Sequence, residues 1–122
     1  MTKILVVDDE LLLRDVLHEN LSRQGYDVYL AADADKALEL CQQHSFQIAL
    51  IDIKLPKSSG IELTKELVKL YTGLYIIIMT GYPSLDTAVY AMKNGASEYI
   101  IKPFRLEELN KIIKKYLVIG DS

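Results

Sequence analysis

The feature that most constrains this chain is an unbroken alternation of two hydrophobic periods. Short apolar runs at 3–8, 26–31, 46–52, 74–80 and 97–101 read as strands. Each is followed by a stretch whose apolar positions recur at three and four residues, at 10–24, 35–44, 58–71, 84–95 and 106–117. Leu13, Val16, Leu17 and Leu21 share a face in the first stretch, and Ile61, Leu67 and Val68 in the third. In the last, Leu106, Leu109, Ile113 and Tyr116 lie on one side. Cap and stop residues agree: Asp33 or Asp35 opens the second helix and Ser84 the fourth, while Gly25 and Gly95 close the first and fourth. Five strands in strict alternation with five helices form a parallel sheet, with the crossover helices laid on both of its faces.

The strand sequences also predict their order. "ILVV", "IALI" and "LYIIIM" are continuously apolar, as strands covered on both faces must be. "YDVYLA" alternates, which suits an edge, and "SEYII" is short with a polar start, which suits the other edge. The order 2-1-3-4-5 follows, a doubly wound flavodoxin-like α/β fold. In such sheets ligands bind beyond the carboxyl ends of the strands, where the order reverses between strands 1 and 3. The 122 residues suit one domain, placed at 1–119, with 120–122 a tail or the start of a linker.

Composition excludes several function classes. Net charge is −3, so there is no basic footprint for direct nucleic-acid binding, and Lys111, Lys114 and Lys115 read as a solvated face near a helix C-terminus. Cys41 has no second cysteine to pair with, which fits a reducing cytoplasm. No signal peptide precedes residue 3, and no apolar run approaches the roughly 20 residues that span a bilayer, so no membrane partner is expected.

The chemistry gathers at the carboxyl ends of the strands. The first strand, in "KILVVDDE", runs into Asp8, Asp9 and Glu10. Carboxylates about 4 Å apart repel by roughly 4 kcal/mol at an effective dielectric near 20, so such crowding needs either water or a positive partner. The third strand ends in Asp52, the fourth in Thr80, and the fifth runs into Lys102. Each is ordinary alone, as a turn cap, a strand residue or a solvated lysine. Together they bring three carboxylates, a hydroxyl and one ammonium to a single crevice, leaving roughly two positive charges to be supplied. A divalent cation supplies them. Mg²⁺ is the best candidate, since it binds characteristically through one or two carboxylates plus waters and phosphate oxygens, and neither His nor Cys joins the cluster, which argues against zinc. His18 and His44 fall in predicted helices and read as surface residues. "DADKAL" at 33–38 is no calcium loop, because Leu38 stands where glycine is required. A carboxylate beside Mg²⁺, a lysine and a hydroxyl can act as nucleophile toward a phosphoryl group, and Asp52, across the crevice from the acid pair, is the expected acceptor.

These residues carry a family resemblance. "ILVVDDE", "ALIDIKLPKSSGIEL", "IIIMTGY" and "GASEYIIKPF", in this order, resemble a response-regulator receiver domain over essentially residues 3 to 117. The resemblance implies that Asp52 accepts phosphate from the phosphohistidine of a sensor histidine kinase, or from a phosphotransfer protein. It implies that Asp9 and Asp52 bind Mg²⁺ directly, that the Lys54 backbone carbonyl contributes, and that Asp8 acts through water. Thr80 and Lys102 would contact the phosphoryl group, and Tyr99 would be the switch aromatic. The surface altered would be the fourth helix, fifth strand and fifth helix, where Tyr90 is a candidate contact for a partner or a second copy. Lys102-Pro103 is expected to be cis, and Lys54 and Tyr82 occupy the flanking places that tune phosphate lifetime. Many receivers read Met-Pro-Gly-Met-Asp-Gly where this chain reads "LPKSSG" at 55–60. The stretch from Met79 to Phe104 most resembles receivers of nitrogen-regulation-type transcription activators.

Two other readings share the fold or the chemistry. An FMN-binding flavodoxin-like protein needs a Ser/Thr/Gly-rich loop after the first strand, where three acids would repel its phosphate. A small Asp- and Mg²⁺-dependent phosphatase needs an Asp-x-Asp pattern there, and Asp8-Asp9-Glu10 places Glu third. Nucleotide hydrolysis is disfavoured, because no phosphate-binding Walker sequence occurs.

Overall fold

The computed structural model describes residues 1–120. The chain runs β1 (Lys3–Val7), α1 (Leu11–Arg23), β2 (Asp27–Ala31), α2 (Ala34–Gln43), β3 (Ile48–Asp52), β4 (Lys54–Leu55), β5 (Ser58–Ser59), α3 (Gly60–Leu70), β6 (Tyr75–Thr80), α4 (Leu85–Lys93), β7 (Glu98–Ile101) and α5 (Leu106–Gly120). Five strands form one parallel sheet in the order β2-β1-β3-β6-β7. With the β4–β5 hairpin set aside, this is the expected 2-1-3-4-5.

Alternation along each strand divides the core in two. Leu5, Val7, Ala49, Ile51, Ile76 and Ile78 point to one face and pack with Leu40, Leu63 and Leu67 of α2 and α3. Ile4, Val6, Ile48, Leu50, Ile77 and Met79 point to the other and pack with Leu17 and Leu21 of α1 and Leu109 and Ile113 of α5. Every residue of β3 is buried, whereas β2 buries only Ala31 fully, as interior and edge strands should. The three interior strands β1, β3 and β6 are thereby fixed from two sides, and their carboxyl ends form a platform for the site.

The structure departs from periodicity in four places. The stretch 58–71 is not one helix: Ser58 and Ser59 pair antiparallel with Leu55 and Lys54, and α3 starts at Gly60. The turn between them is made by Pro56 and Lys57, and Lys57 adopts a left-handed φ of 60° that gives no glycine signal in the sequence. Ser59 then caps α3, its hydroxyl accepting from the Ile61 N–H at 3.1 Å. Val16 is 47 % exposed rather than part of the α1 core face, because Leu17 and Leu21 alone reach full burial. His44 lies beyond α2 in extended backbone and is half-buried, its ring 4.2 Å from that of Tyr29. Finally, α5 continues past Leu117 to Gly120. Of the expected tail at 120–122, residues 121 and 122 lie outside the described residues.

Candidate functional site

Four of the candidate residues stand at or just beyond a strand's carboxyl end. Asp8 follows β1, Asp52 closes β3, Thr80 closes β6, and Lys102 follows β7. Backbone bonds extend the ladder to hold them: the Asp8 N–H donates to the Ala31 carbonyl at 3.0 Å, and the Lys102 N–H to the Thr80 carbonyl at 2.7 Å. Gly60 lies directly under Asp52, where a Cβ would come within 1.9 Å of the Asp52 carbonyl oxygen, so only glycine allows α3 to start there. The Lys102-Pro103 bond is cis.

Asp8 is fully buried and both its carboxylate oxygens are engaged. Oδ1 accepts from the Glu10 N–H at 2.8 Å, and Oδ2 accepts from Lys102 Nζ at 2.7 Å. The same ammonium lies 3.5 Å from Asp52 Oδ2 and 4.0 Å from Glu10 Oε1. Burial pushes the Asp52 pKa above the ordinary carboxylate value; the Lys102 charge pulls it back, and Asp8 adds to the rise. For Lys102, burial lowers the pKa, but the hydrogen bond and charge of Asp8, with Asp52 and Glu10, reverse that and raise it. The lysine is therefore held cationic among the acids. Arg14, on α1, donates from Nη1 to the Asp8 carbonyl at 2.8 Å and fixes that turn from outside.

Asp8, Asp9 and Asp52 each offer a carboxylate oxygen, and these lie within 4.8 Å of one another. Asp9 is exposed and Asp52 nearly buried, so the cluster opens outward. It opens into a pocket of about 280 Å³ whose walls include Glu10, Lys54, Thr80, Gly81 and Tyr82. Hard oxygen donors at this spacing fit a divalent cation of the Mg²⁺ or Ca²⁺ type. The Thr80 hydroxyl accepts from the Tyr82 N–H at 3.0 Å, which leaves its own proton to donate.

Five of the expected residues therefore meet: Asp8, Asp9, Asp52, Thr80 and Lys102. Lys54 and Tyr82 reach the pocket's rim, with the Lys54 ammonium 4.1 Å from the centroid of the Tyr82 ring. Tyr99 does not line this pocket. It is half-buried on β7, its hydroxyl 3.0 Å from Thr87 Oγ1, and Thr87 in turn bonds Ser84, the cap of α4. Glu10, Arg14 and Gly60 join the site through contacts that the sequence alone does not assign. Glu10 was visible as the third acid, while nothing local marks Arg14 or Gly60 as neighbours of the site.

A doubly wound sheet with an oxygen-ligand cluster and one lysine at its switch point defines a class of α/β protein. The chain belongs within that class to the response regulator receiver domain family, whose profile matches residues 4–114. It is 38% identical over 117 residues to Regulatory protein AtoC of Escherichia coli (strain K12), covering 96% of this chain and 25% of that protein. It is 35% identical over 120 residues to Sporulation initiation phosphotransferase F of Bacillus subtilis (strain 168), covering 98% and 97%. The chain thus spans a quarter of one curated relative and nearly all of the other. Among solved structures, it superimposes with a TM-score of 0.96 and 37% identity on a CheY-like receiver domain protein from Methanospirillum hungatei JF-1, covering 99% and 97% of the two chains. A response regulator from Burkholderia pseudomallei, solved with a phosphorylated aspartic acid, a calcium ion and citrate, matches with a TM-score of 0.85 and 36% identity over 89% of this chain and 64% of that one. The chain is a signalling receiver domain of the two-component type, which displaces the flavodoxin and phosphatase alternatives. No described helix is long and apolar enough to cross a membrane.

Proposed function

We propose that Asp52 is the residue of this receiver that accepts the phosphoryl group, and that the donor is the phosphohistidine of a sensor histidine kinase or of a phosphotransfer protein. The observation that carries this reading is the position of Asp52, beside Lys102 and within reach of the Asp8 and Asp9 oxygens. Asp9, Asp52 and the Lys54 carbonyl would hold Mg²⁺, and Asp8, whose two oxygens are already engaged, would act through water. Bound there, the metal would supply positive charge to the phosphoryl oxygens during transfer. An Asp52 oxygen attacks phosphorus; the P–O bond forms as the P–N bond breaks. The electron pair returns to the imidazole nitrogen, which takes a proton from solvent. Lys102 and the free Thr80 proton bind the phosphoryl oxygens on Asp52.

The output runs from Thr80 to Tyr99. Drawing the Thr80 hydroxyl toward the phosphoryl group vacates space into which the Tyr99 ring turns, and that turn breaks its bond to Thr87 in the first turn of α4. The face made by α4, β7 and α5 then changes. Val89, Met92 and Ile101 are between 43% and 51% exposed there, suited to a partner or a second copy. Tyr90 also lies on α4, its hydroxyl donating to Glu62 at 3.2 Å.

The test is phosphorylation by acetyl phosphate with Mg²⁺, followed by mapping of the adduct. Wild type gains one phosphoryl group on Asp52, and Asp52→Asn or removal of Mg²⁺ abolishes the gain. Labelling that persists in Asp52→Asn would sink the assignment.

A further inference from the structure

The wall of an acidic pocket carries a second ammonium that makes no ion pair among the described residues. Lys54 lines the same cavity as Asp9, Glu10 and Asp52, yet no salt bridge joins it to any of them. Its Nζ lies instead over the ring of Tyr82, 4.1 Å from the centroid. The ring is 73% exposed and so stands at the rim, where it can hold a cation without closing the pocket. The partner it offers competes with the carboxylates. A cation on an aromatic face and a solvent-exposed ion pair stabilise by similar amounts, so the ring can decide which side the lysine occupies.

We propose that Tyr82 acts as a positioning residue that keeps the Lys54 ammonium out of the metal site. The inference rests on the reading of the Asp8, Asp9 and Asp52 cluster as a Mg²⁺ site. Lys102 already returns one positive charge to that cluster. A second ammonium swung inward would occupy the electrostatic position of the divalent ion and compete with it. Only the fraction of molecules with Lys54 turned away binds the ion, and apparent affinity scales with that fraction. The contact joins two segments far apart in the sequence: Lys54 is in the first strand of the β4–β5 hairpin, and Tyr82 is two residues beyond β6. Two separate loops therefore meet through one contact.

The experiment is an amide chemical-shift titration of the whole chain with Mg²⁺ alone, without phosphodonor. Tyr82→Ala is expected to weaken Mg²⁺ binding by about two- to fivefold, the range a cation–π contact at an exposed site can shift a two-state population. Tyr82→Phe, which keeps the ring face, is expected to bind as wild type does. Combining Lys54→Met with Tyr82→Ala is expected to restore the affinity, since the backbone carbonyl stays and the competing ammonium goes. Wild-type affinity in Tyr82→Ala, weakened affinity in Tyr82→Phe, or no recovery in the double variant overturns the proposal. Absence of saturable Mg²⁺ binding in the wild type would instead overturn the metal reading beneath it.

Discussion

The two ends of the one sheet meet the same packing problem with opposite materials. At the amino end, Tyr29 packs against the rings of His44 and Phe46, and these two line a pocket of about 240 Å³ together with Cys41 and Leu74. Lys3 lies over the Tyr29 ring and 3.1 Å from His44 Nδ1, at the surface of that cluster. Among the described residues nothing charged is buried there. At the carboxyl end, Asp8 and Asp52 are buried side by side with Lys102 between them. Every fully buried side-chain nitrogen and oxygen among the described residues has a hydrogen-bond partner, so the charged end is satisfied rather than strained. Satisfied buried charge is still weak evidence for stability, because desolvation offsets most of the attraction. The amino end needs no reason beyond packing. The carboxyl end does, and transfer of a charged group provides it.

The sharpest way to break that contrast is to remove one large side chain from each end. Lys102→Ala leaves Asp8 buried with its main cationic partner gone, and is expected to destabilise the metal-free protein by about 3 kcal/mol. Phe46→Ala is expected to cost a similar amount, about 3 kcal/mol, through lost burial and a cavity. The two should separate when Mg²⁺ is added during urea unfolding. Saturating metal should recover stability in Lys102→Ala beyond its effect on wild type, because it binds a more negative site in the folded chain alone. Phe46→Ala should gain only what wild type gains. Equal metal responses in the two variants would show that the ends do not differ as described.

Legibility follows the same division. Strand order and the two-sided core were readable because continuous apolar runs and helical periods are long-range signals repeated five times along the chain. The site residues were readable because parallel strands deliver their last residues to one edge, so Asp8, Asp52, Thr80 and Lys102 meet once the order is known. The β4–β5 hairpin was not, since Lys57 takes its left-handed turn without glycine, and the serines after it look like the start of a helix. Arg14 and Gly60 were hidden because their contacts with Asp8 and Asp52 are tertiary. Tyr99 shows the limit most clearly. The switch role proposed for it rests on resemblance, and its partner, Thr87, has no signature in the sequence.

A smaller effect tests whether the carboxyl end communicates with α4 while the amino end stays silent. Thr80→Ala removes the bond to the Tyr82 N–H and is expected to cost about 1 kcal/mol of stability. Phosphate should still be accepted, because Asp52 and Lys102 remain. Amide exchange in α4 and β7, which should change on phosphorylation of the wild type, is expected to change little in the variant. Exchange around Tyr29 and Phe46 should be the same in all four states. An undiminished response of α4 in Thr80→Ala would refute the coupling, and a response at Phe46 would erase the contrast between the ends.

An effect of similar size, seen only at alkaline pH, lies wholly at the amino end and concerns Cys41. The residue is 5% exposed, although it lines a pocket open to solvent, and burial pushes its thiol from an ordinary value near 9.0 up to about 11. At pH 8 only roughly one thiol in a thousand would then be ionised, and the thiolate is the reactive form. A charged thiol reagent should therefore label the folded protein slowly and the urea-unfolded protein fast. The sign of the stability effect follows from the raised pKa. A neutral Cys41 contributes fully below the unfolded value, and that contribution is lost as pH rises toward about 11. Measured against Cys41→Ala, which cannot ionise, wild type should lose roughly 1 kcal/mol of relative stability on going from about pH 8 to about pH 10. Other lysines and tyrosines titrate in both proteins and cancel in the difference. Phosphorylation at the other end should alter neither result except through global stability. Rapid labelling of the folded chain at pH 8, or a stability difference that does not move with pH, would mean that water reaches this thiol and that the amino end is less dry than its aromatic packing indicates.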